Sequence, residues 1–227
     1  MKRPEIWLLG TVLLIAGLLL VFSGIAAEVL RGASTGFDRA VILSLRNPSD
    51  ISDPIGPAWV EEAARDVTSL GSVIVVFMLS GAYIGYLLLA GTRGKALLML
   101  VSVGGGLALN DLLKFIFDRP RPELVLHSAQ VFTSSFPSGH AALSSVTYLT
   151  MAALVTQHAP SASLRIYVMA VAILFVLVVG ASRVYLGLHY PTDVLAGWCI
   201  GSAWALTCWV AAQRLKHRRT EMRQHAP

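Results

Sequence analysis

The chain has 227 residues, 55% hydrophobic and only 14% charged, with a formal net charge of +5. A soluble domain carries about 25% charged residues, so the composition excludes an ordinary soluble globule and points to one membrane domain covering residues 1–227 with a small extramembrane piece. Nor does the positive charge indicate nucleic acid: Arg214, Lys216, Arg218, Arg219 and Arg223 crowd the last fourteen residues beside an apolar segment, the pattern of a cytoplasmic tail facing anionic lipid.

A spanning helix needs about 20 mostly apolar residues. Six segments approach that length, at about 6–28, 70–90, 95–114, 140–157, 165–185 and 193–213. The first follows a basic start, as a signal peptide does, but its apolar run is longer than the roughly 7–15 residues of a signal core and reads as a retained span. The fourth is diluted by Ser144, Ser145, Thr147 and Thr150, whose hydroxyls can bond back to their own helix or across to a neighbour. Gly104, Gly105 and Gly106 in the third suggest close helix packing, with flexibility near a site as the alternative. The expected fold is an all-α, six-span bundle. With both termini cytoplasmic, ten Lys/Arg residues fall inside and eight outside, the basic tail being the strongest single signal. Cys199 and Cys208 lie nine apart in one segment, on opposite faces of a helix, so they neither bridge nor form a zinc spacing.

Between the first two spans, residues 31–69 form the expected outer cap. FDRAVILSLR (37–46) reads as a short amphipathic helix, NPSDISDPIGP (47–57) as a turn-rich break, and AWVEEAARDVTSLG (58–71) as a second helix. Asp66 and the DVTSLG run are the part of the cap to look for beside a site; a plain connector is the alternative.

Ionisable groups at span ends are costly and often functional, and three clusters carry them. The first is KFIFDRPRP (114–122): Lys114 and Arg121 lie two helical turns apart, and Pro120 and Pro122 break the helix so that the arginine can fold back, giving two cations suited to a phosphate. Interfacial snorkelling is the alternative. The second is SSFPSGHAAL (134–143), which reads as a helix N-terminus, where free N–H groups and the dipole favour anions. Pro137 is expected in the first turn, Gly139 allows close approach to the backbone, Ser138 adds a hydroxyl and His140 a proton carrier; a Ser/Gly cap with a stray histidine is the alternative. The third is ASRVYLGLHYPTD (181–193), with Arg183 ending a span. His189 and Asp193 at i, i+4 allow the carboxylate to hold the imidazole tautomer and free the other nitrogen as a nucleophile, although such a pair also occurs as a purely structural contact. In the six-span arrangement all three clusters share one membrane face. They describe an oxyanion site with acid–base groups and no dense carboxylate or His/Cys set for a metal.

Together, K-x6-RP (Lys114, Arg121, Pro122), PSGH (Pro137 to His140) and SR-x5-H-x3-D (Ser182, Arg183, His189, Asp193) resemble, in order, the motifs of the type 2 phosphatidic acid phosphatase family of membrane lipid phosphatases. In the doubled RPRP, only Arg121 has the family's spacing from Lys114. The resemblance implies a cofactor-free, metal-independent hydrolase. By that resemblance His189 would attack phosphorus to form a phosphohistidine, Asp193 would orient it, and His140 would protonate the leaving oxygen. Lys114, Arg121, Ser138, Gly139 and Arg183 would hold the phosphoryl oxygens, and water would be the final acceptor. It further implies a bacterial inner-membrane enzyme with an outward-facing site, acting on phosphatidylglycerol phosphate, undecaprenyl diphosphate or phosphatidic acid. A lipid A phosphatase or a lipid-to-lipid phosphotransferase would share the same motifs. Soluble vanadium haloperoxidases share the anion site, and the six apolar segments argue against them. A transporter would carry its charges along a midplane path; Asn110 and Asp111 lie deeper but do not make one.

Overall fold

The computed structural model describes residues 3–32, 35–122 and 134–224. The elements run α1 (Arg3–Arg31), α2 (Thr35–Ser44), β1 (Arg46–Asn47), β2 (Asp50–Pro54), α3 (Ala58–Ser69), α4 (Val73–Leu89), α5 (Arg93–Phe117), α6 (Gly139–Thr156), α7 (Ala162–Tyr185) and α8 (Pro191–Gln224). The apolar segments all become helices. The cap departs from the all-α expectation: its turn-rich break pairs as a two-stranded antiparallel hairpin, with Arg46 opposite Pro54. Its first helix stops at Ser44, two residues before the expected end, because Arg46 enters that hairpin. The basic tail continues α8 to Gln224, and residues 225–227 and 123–133, the latter part of the 114–139 loop, lie outside the described residues.

Among the described residues, four helices are long and apolar enough to cross a membrane: α1, α5, α7 and α8 through Lys216. A fifth span arises if α3 and α4, bent by 48° at their junction, count together. Helix α6 does not qualify by composition, and its position explains why. It packs against α4, α5, α7 and α8, and eleven of its 18 residues are buried, so protein rather than lipid surrounds it. A helix so enclosed can carry hydroxyls. Ser144 and Ser145 donate to the Ala141 carbonyl at 3.2 and 2.7 Å, whereas the Thr147 and Thr150 hydroxyls have no partner. By contrast, α1, α4, α5 and α7 leave large apolar side chains exposed, including Leu13, Ile74, Leu89, Phe115 and Leu174, as lipid-facing helices do.

Small residues set the helix spacing. Gly197 and Gly201 of α8 face the Ser138 and Ala142 carbonyls of the α6 strip, with no room for a methyl group. Gly105 and Gly106 accommodate the Trp204 indole, whose Nε1 donates to the Ser102 carbonyl at 2.9 Å, while Gly104 faces open space. Two of the three expected packing glycines therefore pack. Three buried clusters result. Val76, Met99, Val103, Leu143 and Val146 join α4, α5 and α6. Phe22, Ala26, Phe136, Ala142, Ala196 and Ile200 lock α1 onto the α6–α8 pair. Tyr148, Ala152, Ala172 and Val176 join α6 to α7.

Candidate active site

The loops at one end of the bundle converge through defined local structure. Asp118 adopts φ 36°, ψ 41° and ends α5, its N–H returning to the Lys114 carbonyl at 3.1 Å. The chain then passes through Arg119 and Arg121, each followed by a proline that cannot continue a helix. Phe136 is fully buried between Phe22 and Phe117, with ring centroids at 5.9 and 4.8 Å, and anchors the approach to α6. The helix begins at Gly139 with Ser138 as its cap; Pro137 lies before the cap, joined to Phe136 by a cis peptide, rather than in the first turn. The Ser138 N–H donates to the Asp193 carbonyl at 3.0 Å, which fastens the start of α6 to the start of α8. Between α7 and α8, Gly187 takes φ 68°, and the N–H groups of Leu188 and His189 both return to the Arg183 carbonyl, at 3.0 and 3.3 Å. That turn tucks His189 inward, where it is 1% exposed.

The two imidazole nitrogens of His189 face different chemistry. Nδ1 lies 3.6 Å from Asp193 Oδ2 and 3.5 Å from Ser135 Oγ. Nε2 lies 3.2 Å from Arg121 Nη1. Guanidinium can only donate, so Nε2 must present its lone pair and the ring proton sits on Nδ1, toward the carboxylate. Burial lowers the His189 pKa to about 3 despite the opposing pull of Asp193, so the ring is neutral at pH 7. Arg121 also donates to the Leu188 carbonyl at 2.8 Å; burial lowers its pKa too, but a guanidinium stays charged.

Asp193 is fully buried and amply bonded. Its Oδ1 accepts from Arg119 Nη1 at 2.5 Å, and its Oδ2 accepts from Ser135 Oγ and from the Tyr190 N–H at 3.0 Å. Arg119 also reaches Asp38 of α2, Nη2 to Oδ2 at 2.7 Å, and lies 4.2 Å from the centre of the Tyr190 ring. Burial by itself would lower the Arg119 pKa, but Asp193 and Asp38 outweigh it and raise it.

The remaining expected residues gather around this pair. His140 lies within electrostatic range of Arg183, His189, Lys114 and Arg121. A methyl group on Gly139 would sit 3.2 Å from Asn110 Nδ2 and 3.8 Å from Lys114 Cε, so the α6 N-terminus meets the lysine stem directly. Arg183 is buried, its Nη1 3.3 Å from Thr68 Oγ1 of α3, and its Nε has no partner. The Ser138 hydroxyl is fully buried, makes no capping bond and has no partner. A buried, unspent hydroxyl beside the free N–H groups of a helix start is suited to an anion.

All eight expected site residues thus lie at one end of the bundle. The expected helical face shared by Lys114 and Arg121 does not extend that far: α5 stops at Phe117, and Arg121 arrives through the proline-broken turn. Of the cap run, Thr68 borders the site and Asp66 is exposed. Sequence reading missed Asp38, Arg119 and Ser135. Arg119 had a signal, a second arginine in a rigid RPRP turn, but spacing from Lys114 favoured its neighbour. For Asp38, a carboxylate in the first turn of a short helix resembles ordinary surface charge, and its burial depends on a contact 154 residues away, to Thr192.

Residues 95–217 match the PAP2 superfamily, more than half of the chain. Phosphatidylglycerophosphatase B of Bacillus subtilis is 30% identical over 81% of this chain and 85% of its own length. A lipid A 1-phosphatase of Rhizobium johnstonii is 31% identical over 81% of this chain and 82% of its own. The crystal structure of the transmembrane PAP2 type phosphatidylglycerolphosphate phosphatase from Bacillus subtilis superposes with a TM-score of 0.74, at 28% identity, covering 88% of this chain and 96% of that one. By family match, fold and relatives, this multi-pass membrane protein belongs to the PAP2 superfamily, among its lipid-phosphate hydrolases.

Proposed function

We propose that the chain is a metal-independent phosphatase that removes phosphate from a membrane lipid phosphate through a phosphohistidine at His189. The observation that carries this reading is the pairing of His189 Nε2 with Arg121 at 3.2 Å while Asp193 lies behind Nδ1. It supports a neutral imidazole whose lone pair points to the cationic side. A phosphoryl group would draw Arg121 onto one oxygen, Lys114 and Arg183 onto others, and the Ser138 hydroxyl and the Gly139 N–H onto the rest. These three cations take over the charge neutralisation that a divalent ion supplies in many phosphoryl-transfer enzymes.

In the first step Nε2 attacks phosphorus and forms an N–P bond. The bond from phosphorus to the lipid oxygen breaks, and His140 delivers a proton to that oxygen. Asp193 balances the positive charge on the imidazole. In the second step water attacks phosphorus, His140 accepts its proton, the N–P bond breaks and phosphate leaves. His189 returns to its neutral state.

Six spans are the topology we favour, with α4 and the enclosed α6 completing the four apolar helices. Both termini then face the cytoplasm and the site faces outward. Supporting this, Lys114, Arg121, His140, Arg183 and Asp193 belong to one set of helix ends. Lys95 meets His158, Nζ to Nε2 at 3.1 Å, at the other set, where the basic end of α8 also emerges. The substrate class we favour is phosphatidylglycerol phosphate, undecaprenyl diphosphate or phosphatidic acid, in line with the relatives named for the first two. The lipid A 1-phosphatases among the relatives support a second reading, lipid A. A phosphotransferase would differ in sending the phosphoryl group to another lipid. Purified protein in detergent with chelator, given each lipid in turn, tests the proposal: free phosphate is expected from wild type and none from His189→Ala. Full activity in that folded variant would end the proposed mechanism, and phosphate appearing on a second lipid instead of in solution would make the protein a transferase.

A further inference from the structure

We propose that Arg119 and Asp38 are positioning residues for catalysis, a charged brace that runs from the cap into the active site and fixes how Asp193 presents itself to His189. The inference rests on reading His189 as the nucleophile.

Each link of the brace is buried: Asp38 and Asp193 are fully so and Arg119 is 9% exposed. Its fork spans two carboxylates, taking Asp193 Oδ1 with Nη1 and Asp38 Oδ2 with Nη2. The first contact leaves Asp193 Oδ2, the oxygen nearest His189 Nδ1, for Ser135, the Tyr190 N–H and the imidazole. A carboxylate held only on the Oδ2 side could rotate about its bond to Cβ; with Oδ1 clamped it cannot turn without breaking an ion pair. Asp38 completes the arrangement on the α8 side. It accepts from the Thr192 N–H at 3.1 Å and from Thr192 Oγ1 at 2.6 Å, and Arg119 Nη1 also donates to Thr192 Oγ1 at 2.9 Å. Thr192 is the residue before Asp193, so the acid of α2 holds the first turn of α8, where N–H groups lack helical partners.

Taking three charges out of water is expensive, and apolar residues of similar volume would often stabilise a fold as well or better. If holding the cap were the whole purpose, ionic groups would be a costly choice. A bidentate arginine between two carboxylates has the further property of fixed orientation, because guanidinium presents its donors in one plane. Orientation is what the His189 tautomer depends on.

The test is a set of variants in Arg119 and Asp38, measured for kcat, KM, melting temperature and the rate of phosphoenzyme formation after rapid alkaline quench. The substrate is phosphatidylglycerol phosphate labelled in its terminal phosphate, or whichever lipid of the panel wild type hydrolyses. Arg119→Met is expected to lower kcat and the phosphoenzyme rate about 100-fold, the scale of a misplacement near 1 Å, with KM within about two-fold. Asp38→Asn is expected to lower both about ten-fold by the same route. The double variant should be no slower than Arg119→Met, since both act through one carboxylate. Arg119→Lys keeps a buried cation but holds only one carboxylate at a time, and it gives a reading even if the methionine variant fails to fold; a loss of about ten-fold in kcat with an unchanged melting temperature is expected. Wild-type kcat in Arg119→Lys or Arg119→Met, a change in KM alone, or effects of the two sites that multiply in the double variant would overturn the brace. The proposed nucleophile is judged separately: wild type forming no phosphoenzyme, with His189→Ala still active, would defeat that reading whatever Arg119 does.

Discussion

Adding a single methyl group at Gly197 probes how closely catalysis depends on the α6–α8 contact. A Cβ there would sit 2.7 Å from the Ser138 carbonyl oxygen, 2.9 Å from Ala141 Cβ and 3.2 Å from the Ala142 nitrogen. Comfortable contacts between carbon atoms lie at about 3.5–4.0 Å, so Gly197→Ala must push the α6 start from α8 by roughly 0.7 Å. The displaced backbone is the proposed phosphate-holding end of α6, and it is tied by the Ser138 N–H to the Asp193 carbonyl. None of the three neighbours is the flexible tip of a side chain, so the strain cannot be absorbed by a rotamer change. Overpacking of this kind costs about 1–3 kcal/mol of stability, and misplacing reacting groups by about 1 Å can cost 100-fold in rate. Gly197→Ala is therefore expected to lower kcat for lipid-phosphate hydrolysis about 10- to 100-fold, measured as released phosphate in detergent with chelator. Gly104→Ala is the control: nothing lies within 4 Å of its Cβ, and activity within about two-fold of wild type is expected because a helical Ala is tolerated at least as well as Gly. Wild-type kcat in Gly197→Ala would refute the claim that this contact sets the geometry of the site.

Two further outcomes follow from the same geometry. Burial lowers the His189 pKa to about 3 from an ordinary value of about 6.5, so the proposed nucleophile stays unprotonated on going from pH 7 to pH 5, and phosphoenzyme formation should persist there in rapid-quench measurements; a fall tracking a titration near 6.5 would contradict it. The sign for stability is opposite to that of a group that gains a proton on folding: the unfolded chain binds the extra proton, so this contribution is present above 6.5 and is lost as the pH falls toward 3, at about 1.4 kcal/mol per pH unit. Thr68→Val removes the hydroxyl that receives Arg183 Nη1 and costs one hydrogen bond to a charged group, about 1.5–3 kcal/mol. Arg183 belongs to the proposed phosphate-holding set, so kcat/KM should fall at least ten-fold; unchanged kinetics would remove α3 from the support of the site.

Much of this architecture was legible because each signal was local. Apolar runs of the right length became helices, and the prolines around Arg121 and the His189–Asp193 spacing marked the places where the chain turns back. The enclosed α6 was the weakest expected span because a strip surrounded by protein tolerates His140 and the hydroxyls of Ser144, Ser145, Thr147 and Thr150. What could not be read was non-local. Asp38 and Arg119 lie 81 residues apart, and neither position alone distinguishes a buried ion pair from solvated charge. The hairpin in the cap was hidden because a run rich in Asp, Ser and Pro resembles a loop, and its strands are short and mostly exposed. The Gly104–Gly106 triplet suggested close packing, yet only the indole of Trp204, from another helix, decides which of the three glycines are required.

The central claim is that phosphorus passes through a covalent bond to His189, and the most direct measurement is to find that bond. Protein quenched in alkali during turnover of a lipid phosphate, digested and sequenced by mass spectrometry, should carry a phosphoryl group on the peptide containing His189. The label should be stable to base, labile to acid and absent from His189→Ala. A phosphoryl group on His140 instead, or an active wild-type enzyme with no phosphopeptide under conditions that slow hydrolysis of the intermediate, would contradict the assignment of the nucleophile.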